Sequence, residues 1–414
     1  MTPLQNPIAT EEQHEIERRA LELQRHPVVA RALNEVRAHW LAKTQPGAEM
    51  RACFDQGFEE VMYCAAVWSL NQDPQRPKVS TITRLRHRVG DLEVPGSRYG
   101  LDNPDSVYRV IPIDGAERYR ISGHVPKQRL TENYFNLWDP NMHTVAVFDG
   151  HAIETAADGS FAIDVDADAP GGRRNHIRST AKAHEFYIRD VILHWAEDRA
   201  NELRVEKLGP PKGKPRSEAE QGELTARFMR AYADNTVRWN DQALGKPANT
   251  FQFRIDRDTD GALGNQLYIL GQFRLRDGEA LVIDVDLGGA AYFLAPITNL
   301  WGTTNDIEHR TASLNLAQSV ANPDGSLTFV VSVEDPGVHN WVDPCDMHEG
   351  ILTLRWAEFP SGRPGPDVGA KSRVLPVSSL RRELPETTRF VTSEERRRQR
   401  EERARAYAWR LLDR

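Results

Sequence analysis

Apolar positions change period along the chain, and each change marks a different kind of element. Between residues 10 and 70 they recur three to four apart: Ile16, Ala20 and Leu23, then Leu33, Val36 and Trp40, then Phe54, Phe58, Val61, Met62 and Ala65. That is the period of one helix face, so three helices are expected, stacked as a layer. Thr10 with Gln13 fits a capping box. Pro27 suits the first position of the second helix, where its missing N–H costs nothing.

From about residue 90 the runs shorten and become rich in β-branched and aromatic residues, as at 119–125, 143–148, 161–165 and 186–193. Asp149-Gly150 and Asp158-Gly159 lie between such runs, where glycine closes hairpins cheaply. Gly209-Pro210-Pro211-Lys212-Gly213-Lys214-Pro215 then interrupts the pattern. Ser217, with Glu220 three residues on, opens a connecting helix that carries Leu224, Phe228, Ala231 and Tyr232. Strand-like runs resume at 267–275, 280–285, 292–297, 327–333 and 351–356. Residues 360–386 are rich in Pro, Gly and Ser and read as a wrapping arm, and 393–412 as a charged helix.

The expected fold is mainly β with α. Two antiparallel β-sandwich or jelly-roll-like domains sit beside an N-terminal helical layer and a C-terminal helix. The boundaries are a helical region at 1–90, a first β domain at 91–206, a linker and connecting helix at 207–250, a second β domain at 251–360, and the arm and helix at 361–414. One echo links the β domains. Asp158-Gly159-Ser160-Phe161 precedes His194-Trp195-Ala196-Glu197, and Asp324-Gly325-Ser326-Leu327 precedes Arg355-Trp356-Ala357-Glu358. Either the two domains are related by duplication, or a common turn has recurred by chance.

Composition narrows the class. The 414 residues carry a net charge of -7, without the basic domain of a general nucleic-acid binder. No apolar run approaches the ~20 residues that span a bilayer. The first residues lack a basic and an apolar signal region. Cys53, Cys64 and Cys345 form no disulfide framework. A cytoplasmic protein is expected, with the C-terminal helix offering a surface for homo-oligomer contact.

Three segments concentrate polar chemistry. In Asp335-Pro336-Gly337-Val338-His339-Asn340-Trp341-Val342-Asp343, acids, a histidine, an amide and an indole share one loop. Together with Cys345, Asp346 and His348 it contains metal-ligand types, but the spacing fits no standard zinc site. Acid–base roles for His339 and Asp343 are preferred, with Asn340 and Trp341 on the ligand. In Leu101-Asp102-Asn103-Pro104-Asp105, followed by Tyr108 and Arg109, the two carboxylates suit turn capping or paired acid–base work. Asp256, Asp258 and Asp260 match the first half of a calcium loop, but Leu267 stands where a bidentate Glu belongs. An acidic turn is the preferred reading there, and no cofactor is expected. No Walker loop, dinucleotide fingerprint, nucleophile elbow or CxxC pair appears in a supporting context.

These segments carry a family resemblance. The LDNPD stretch with Tyr108, Tyr119-Arg120-Ile121-Ser122-Gly123, His194-Trp195, Arg204-Val205-Glu206, the DPGVHNWVD loop and Arg355-Trp356 resemble bacterial proteins with the uncharacterised domain of unknown function 1214. The resemblance covers roughly residues 90 to 360. It implies a β-rich fold and transfers no catalytic residue.

The leading expectation is an enzyme doing non-redox acid–base chemistry of lyase, isomerase, hydratase or cyclase type. Its substrate would be a hydrophobic small molecule such as a terpenoid or steroid-like compound. Catalytic roles fall to Asp102, Asp105, His339 and Asp343. Tyr108, Arg109, His309, Arg310, Asn340 and Trp341 are expected on the ligand. The alternatives are a β-sandwich protein that binds a carbohydrate or lipid without catalysis, and a structural or assembly module.

Overall fold

The structure is a computed structural model that describes residues 6–251 and 265–412. It is mainly β with helices at both ends and in the middle. The first helix, Glu11–Leu23, begins where the Thr10 side chain accepts from the Gln13 amide. Gln13 does not complete the box. Its side chain instead bonds both ways with the Thr81 backbone, at 2.7 and 3.0 Å, and so ties the helix to an edge strand. Pro27–Thr44 opens on its proline, and Phe54–Leu70 follows the short helix Ala48–Ala52. The connecting helix, Glu218–Leu244, starts with the full Ser217–Glu220 capping box.

Each β domain is a sandwich of eight sequential strands. In the first these are Ser106–Pro112, Tyr119–His124, Glu132–Trp138, Thr144–Asp149, Ser160–Asp166, His176–Arg178, Glu185–Val191 and Glu202–Lys207. In the second they are Gln266–Arg274, Glu279–Asp286, Tyr292–Thr298, Ser313–Asn315, Leu327–Ser332, Trp341–Val342, Glu349–Ala357 and Gly369–Pro376. In both, one sheet runs first, seventh, third, fourth, and the other eighth, second, fifth, sixth. The fifth and sixth strands pair parallel in both, and the other pairs are antiparallel. The first sandwich adds one edge strand, Ser80–Ile82, beside its first strand. So the echo lies within two units of the same strand order. The turn glycines Gly159 and Gly325 stand at φ +86° and +85°, each just before a fifth strand.

Two boundaries differ from expectation. The arm at 361–386 contains Gly369–Pro376, which pairs along its whole length with Glu279–Asp286 and completes the second sandwich. The edge strand Ser80–Ile82 comes from the N-terminal region because Gln13 and the neighbouring first strand satisfy its backbone.

The sandwich interiors are apolar. Ile111, Phe135, Phe186 and Ile188 fill the first, and Phe273, Ile283, Phe293, Phe329 and Trp356 the second. The helices join the two. Trp301, from a loop of the second sandwich, is fully buried between Trp40 and Phe54, and its indole N–H donates to Met50 O at 2.8 Å. The C-terminal helix Ser393–Tyr407 buries Arg396 and Arg403 against the second sandwich.

Candidate functional site

The loop from Asp335 to Asp343 carries the chain from the fifth strand to the short parallel sixth strand of the second sandwich. Its polar groups are engaged there. Asn340 donates to Val320 O and Thr328 O at 2.8 and 3.1 Å and accepts from Val320 N. Trp341 is buried, with its N–H on Ser332 O. Asp343, 0% exposed, is clamped by both arms of Arg310 at 2.7 and 2.8 Å and approached by Arg400 at 3.3 Å. Asp335 receives Arg396, whose guanidinium also covers the Trp341 ring. Burial holds the His339 imidazole below its ordinary range, with Arg389 and Arg396 adding to that effect, and its Nδ1 faces Asn340. This corner therefore docks the C-terminal helix. His348 bonds Glu49 in the helical layer, and among the described residues no three metal-binding side chains converge. The calcium reading at Asp256, Asp258 and Asp260 lies outside the described residues.

The LDNPD segment sits at the other end of that helix. Arg410 donates to Pro104 O and Asp105 O, while Arg396 and Arg400 hold the Asp335–Asp343 loop, and Asn305, next to the Thr304 that bonds Asp102, donates to Pro344 O at 2.9 Å. Asp102 accepts from the Thr304 amide and hydroxyl, both at 3.0 Å. Asp105 accepts from Trp195 Nε1 at 2.7 Å and the Tyr292 hydroxyl at 2.9 Å. Burial raises both carboxyls above the usual carboxylate range. Arg109 and Tyr108 point to opposite faces of their strand. Arg109 is buried against Asp190 inside the first sandwich, away from Tyr108. His309 stands on the rim of a cleft of about 390 Å³ between helix Phe54–Leu70 and loops of the second sandwich. That cleft is floored by the buried Glu60–Arg98 ion pair.

A denser group lies in the crevice where the two sandwiches meet. Tyr108 on the first strand pairs across the ladder with Arg189 on the seventh. In the second sandwich Tyr268 on the first strand pairs with Arg355 on the seventh. Two residues further along, Ser106 and Glu132 flank Val191, as Gln266 and Tyr292 flank Ala357. Equivalent positions of the two units thus face one seam. Among them lies a void of about 10 Å³, the size of one water. Glu132 is 2% exposed and accepts from Gln266 Nε2 at 2.6 Å. Burial pushes its carboxyl up to about 8 against the pull of Arg189, and nearby Glu358 adds to the rise. Tyr268 is pushed up to about 12, also by burial, and Arg355 lies over its ring at 5.3 Å.

No family model matches the chain, and no curated protein does. A solved structure of an uncharacterised protein from Burkholderia cenocepacia is similar at TM-score 0.72 and 22% identity, over 87% of this chain and 100% of that one. The VPA0106 protein from Vibrio parahaemolyticus matches at TM-score 0.43 and 12% identity, over 66% of this chain and 90% of that one. The Burkholderia likeness shows the fold alone.

Aromatic surface extends from the seam. Tyr187 stacks on Trp138 at 4.3 Å and on Trp68 at 5.8 Å, and Arg189 lies over its ring at 5.0 Å. Tyr187, Arg189, Tyr268 and Leu270 are half-buried, Trp68, Trp138 and Asn136 beside them are buried, and only Val147, on the edge strand of this face, is 46% exposed. Of the residues singled out from the sequence, Tyr108 lines the seam, and Asp105 reaches it through Tyr292. Glu132, Arg189 and Tyr268 were not singled out, and Arg355 stood out only as part of the repeated and family motifs, not as a site residue. Their signal was an ionisable or phenolic side chain inside a strand-like run, at matching places in the two halves.

Proposed function

We propose that this protein is an enzyme doing non-redox acid–base chemistry on an apolar, ring-bearing small molecule, with the inter-sandwich crevice, which must open beyond its water-sized void to admit it, as its site. The observation that carries the reading is Glu132, a carboxyl enclosed at the seam and held protonated at neutral pH beside two arginines and three tyrosines. A carboxyl poised near neutrality can give and recover a proton in one cycle. Arginine and tyrosine donors can steady the negative charge that forms on a substrate oxygen. Lyase, isomerase, hydratase and cyclase reactions all use such steps. Trp68, Tyr187 and Trp138, stacked on one another beside the seam, would give apolar surroundings to a terpenoid-like or steroid-like body. In this reading His339 and Asp343 hold the C-terminal helix, and Glu132 takes the acid–base role. Asp105 remains as a neighbour acting through Tyr292.

The motif resemblance places the chain, in this reading, beside the domain of unknown function 1214 proteins. Three free cysteines suit a reducing, cytoplasmic setting. Among the described residues no helix is long and apolar enough to cross a membrane.

The test begins with native mass spectrometry of the purified chain, to identify any co-purified small molecule. That compound is then the substrate for the wild type and Glu132→Gln. Loss of turnover by about 10²–10⁴-fold with binding retained supports the reading. Turnover unchanged in Glu132→Gln removes Glu132 as the acid–base group. Retained binding with no turnover in either protein favours the non-catalytic alternative, for which the 390 Å³ cleft is a second place to look.

A further inference from the structure

We infer that the protein binds one monatomic anion, a halide such as chloride, in a small void where both chain ends meet the first sandwich. The inference is independent of the crevice chemistry. The void measures about 10 Å³. It is lined by Ile8, by the turn that carries Arg84 out of edge strand Ser80–Ile82, by Ser106 and Val107, and by Tyr407 and Arg410 at the C-terminal end.

Three of these residues bring unmet polar groups. Arg84 and Arg410 are each 4% exposed and Ser106 is 5% exposed. Arg84 Nε, Arg410 Nε and Ser106 Oγ are buried, and none has a hydrogen-bond partner among the described residues. The terminal nitrogens of both arginines are engaged. Arg84 donates to Glu17 at 2.6 Å and to Arg410 O at 3.3 Å, and Arg410 donates to Pro104 O and Asp105 O at 2.7 and 3.3 Å. Buried polar groups normally find partners. Two guanidinium N–H groups and a hydroxyl around one void form a donor-rich set, which suits an anion.

Charge points the same way. Arg410 is bonded to carbonyl oxygens, and neighbouring Arg403 to Ile307 O, Gln318 and Ser313, so neither is paired with a carboxylate among the described residues. The nearby acids are committed elsewhere. Glu17 is shared by Arg84, His87 and Gln13, and Glu60 is held by Arg98. Asp102 accepts from Thr304, and Asp105 from Trp195 and Tyr292. The Trp195, Tyr407 and Trp409 rings around Arg410 are uncharged. A buried guanidinium without a counter-charge is costly, and a bound anion relieves that cost. A void the size of one water excludes sulfate, phosphate and carboxylates, whereas a halide needs only small shifts of two long side chains. The place also gives the ion a task. Asn6 already ties the N-terminal segment to Trp409 O and Leu412 O, and an anion between Arg84 and Arg410 would fasten both ends to the sandwich.

Thermal unfolding of the full chain tests this, with gluconate replaced stepwise by chloride at a constant ionic strength of about 0.1 M. The midpoint should rise by about 2 °C and then level off, as site binding does and a general salt effect does not. Crystals soaked in sodium bromide should show an anomalous peak between Arg84 Nε and Arg410 Nε. Arg410→Met should abolish the chloride response. Ser106→Ala, which keeps both arginines, should need about tenfold more chloride for the same rise. Circular dichroism shows whether the variants are folded, and Ser106→Ala decides if Arg410→Met does not fold. Four results overturn the inference: no saturable chloride response, a void without bromide, bromide in the void without any chloride response (an adventitious ion only), or an unchanged chloride response in folded Ser106→Ala. A single ordered water in the void gives the first two.

Discussion

Gln266 Nε2 donates to Glu132 Oε1 at 2.6 Å, and that bond crosses from the first strand of one sandwich to the third strand of the other. It makes the seam sensitive to pH. Glu132 titrates near 4.5 when unfolded and at about 8 when folded, because burial disfavours its charged form. The folded state therefore binds the proton more tightly. The contribution is full below pH 4.5 and is lost as pH rises through 8. By linkage it is worth on the order of 5 kcal/mol. Urea midpoints at pH 5, 7 and 8.5 should fall across the series for the wild type and much less for Glu132→Gln. Parallel slopes for the two proteins would place the proton elsewhere.

A second prediction concerns the C-terminal helix. Arg396 is buried, bonds Asp335 at 2.9 Å and Val338 O, and lies over Trp341 at 5.1 Å. Arg396→Ala removes one side of a largely buried ion pair and uncovers an indole. A loss of about 2–4 kcal/mol is expected, concentrated in the helix's docking. Hydrogen exchange across residues 393–412 should speed up while the first sandwich keeps its protection. A uniform rise across both sandwiches would show that the helix unfolds only with the whole chain.

Much of the architecture was legible because its signals are local. Period-two runs, the DGS turns and the Ser217–Glu220 box each act within a few residues. The identical strand order was only hinted at, since strand order depends on pairing between distant segments. The site was harder to read for the same reason. Tyr108 and Arg189 meet only through the ladder, as do Tyr268 and Arg355. The Asp335–Asp343 loop drew attention through its density of polar groups. That density answers to Arg310, Arg396 and Arg400, whose partners no spacing rule reveals. A polar-rich loop beside an arginine-rich terminal helix is thus explained by docking as well as by chemistry.

Gly57 sets how closely the helical layer approaches the second sandwich. A Cβ there would lie 2.6 Å from Trp301 Cβ and 2.9 Å from its Cγ, where the indole has no room to retreat. Alanine ordinarily favours a helix over glycine by about 1 kcal/mol. Here overpacking should outweigh that gain, for a net loss of about 1–2 kcal/mol. Equilibrium unfolding of Gly57→Ala measures it, and a stabilised variant would mean that the Trp301 loop yields.

Glu17 should give a pH dependence opposite to that of Glu132. It is 2% exposed and lies among Arg84 at 2.6 Å, His87 at 3.2 Å and Gln13 at 2.9 Å. Burial by itself would raise its carboxyl, but Arg84, His87 and Gln13 outweigh that and bring it down to about 2. The folded state therefore prefers the ionised form. The contribution, roughly 3 kcal/mol, is present above pH 4.5 and is lost as pH falls toward 2. Glu17→Gln should flatten the acid limb of the stability profile, whereas Glu132→Gln flattens the limb between pH 4.5 and 8. Glu17→Gln should also lower stability at pH 6 by about 3–5 kcal/mol, since Arg84 is left buried without its counter-charge. An acid limb that stays steep in Glu17→Gln would assign it to other carboxylates.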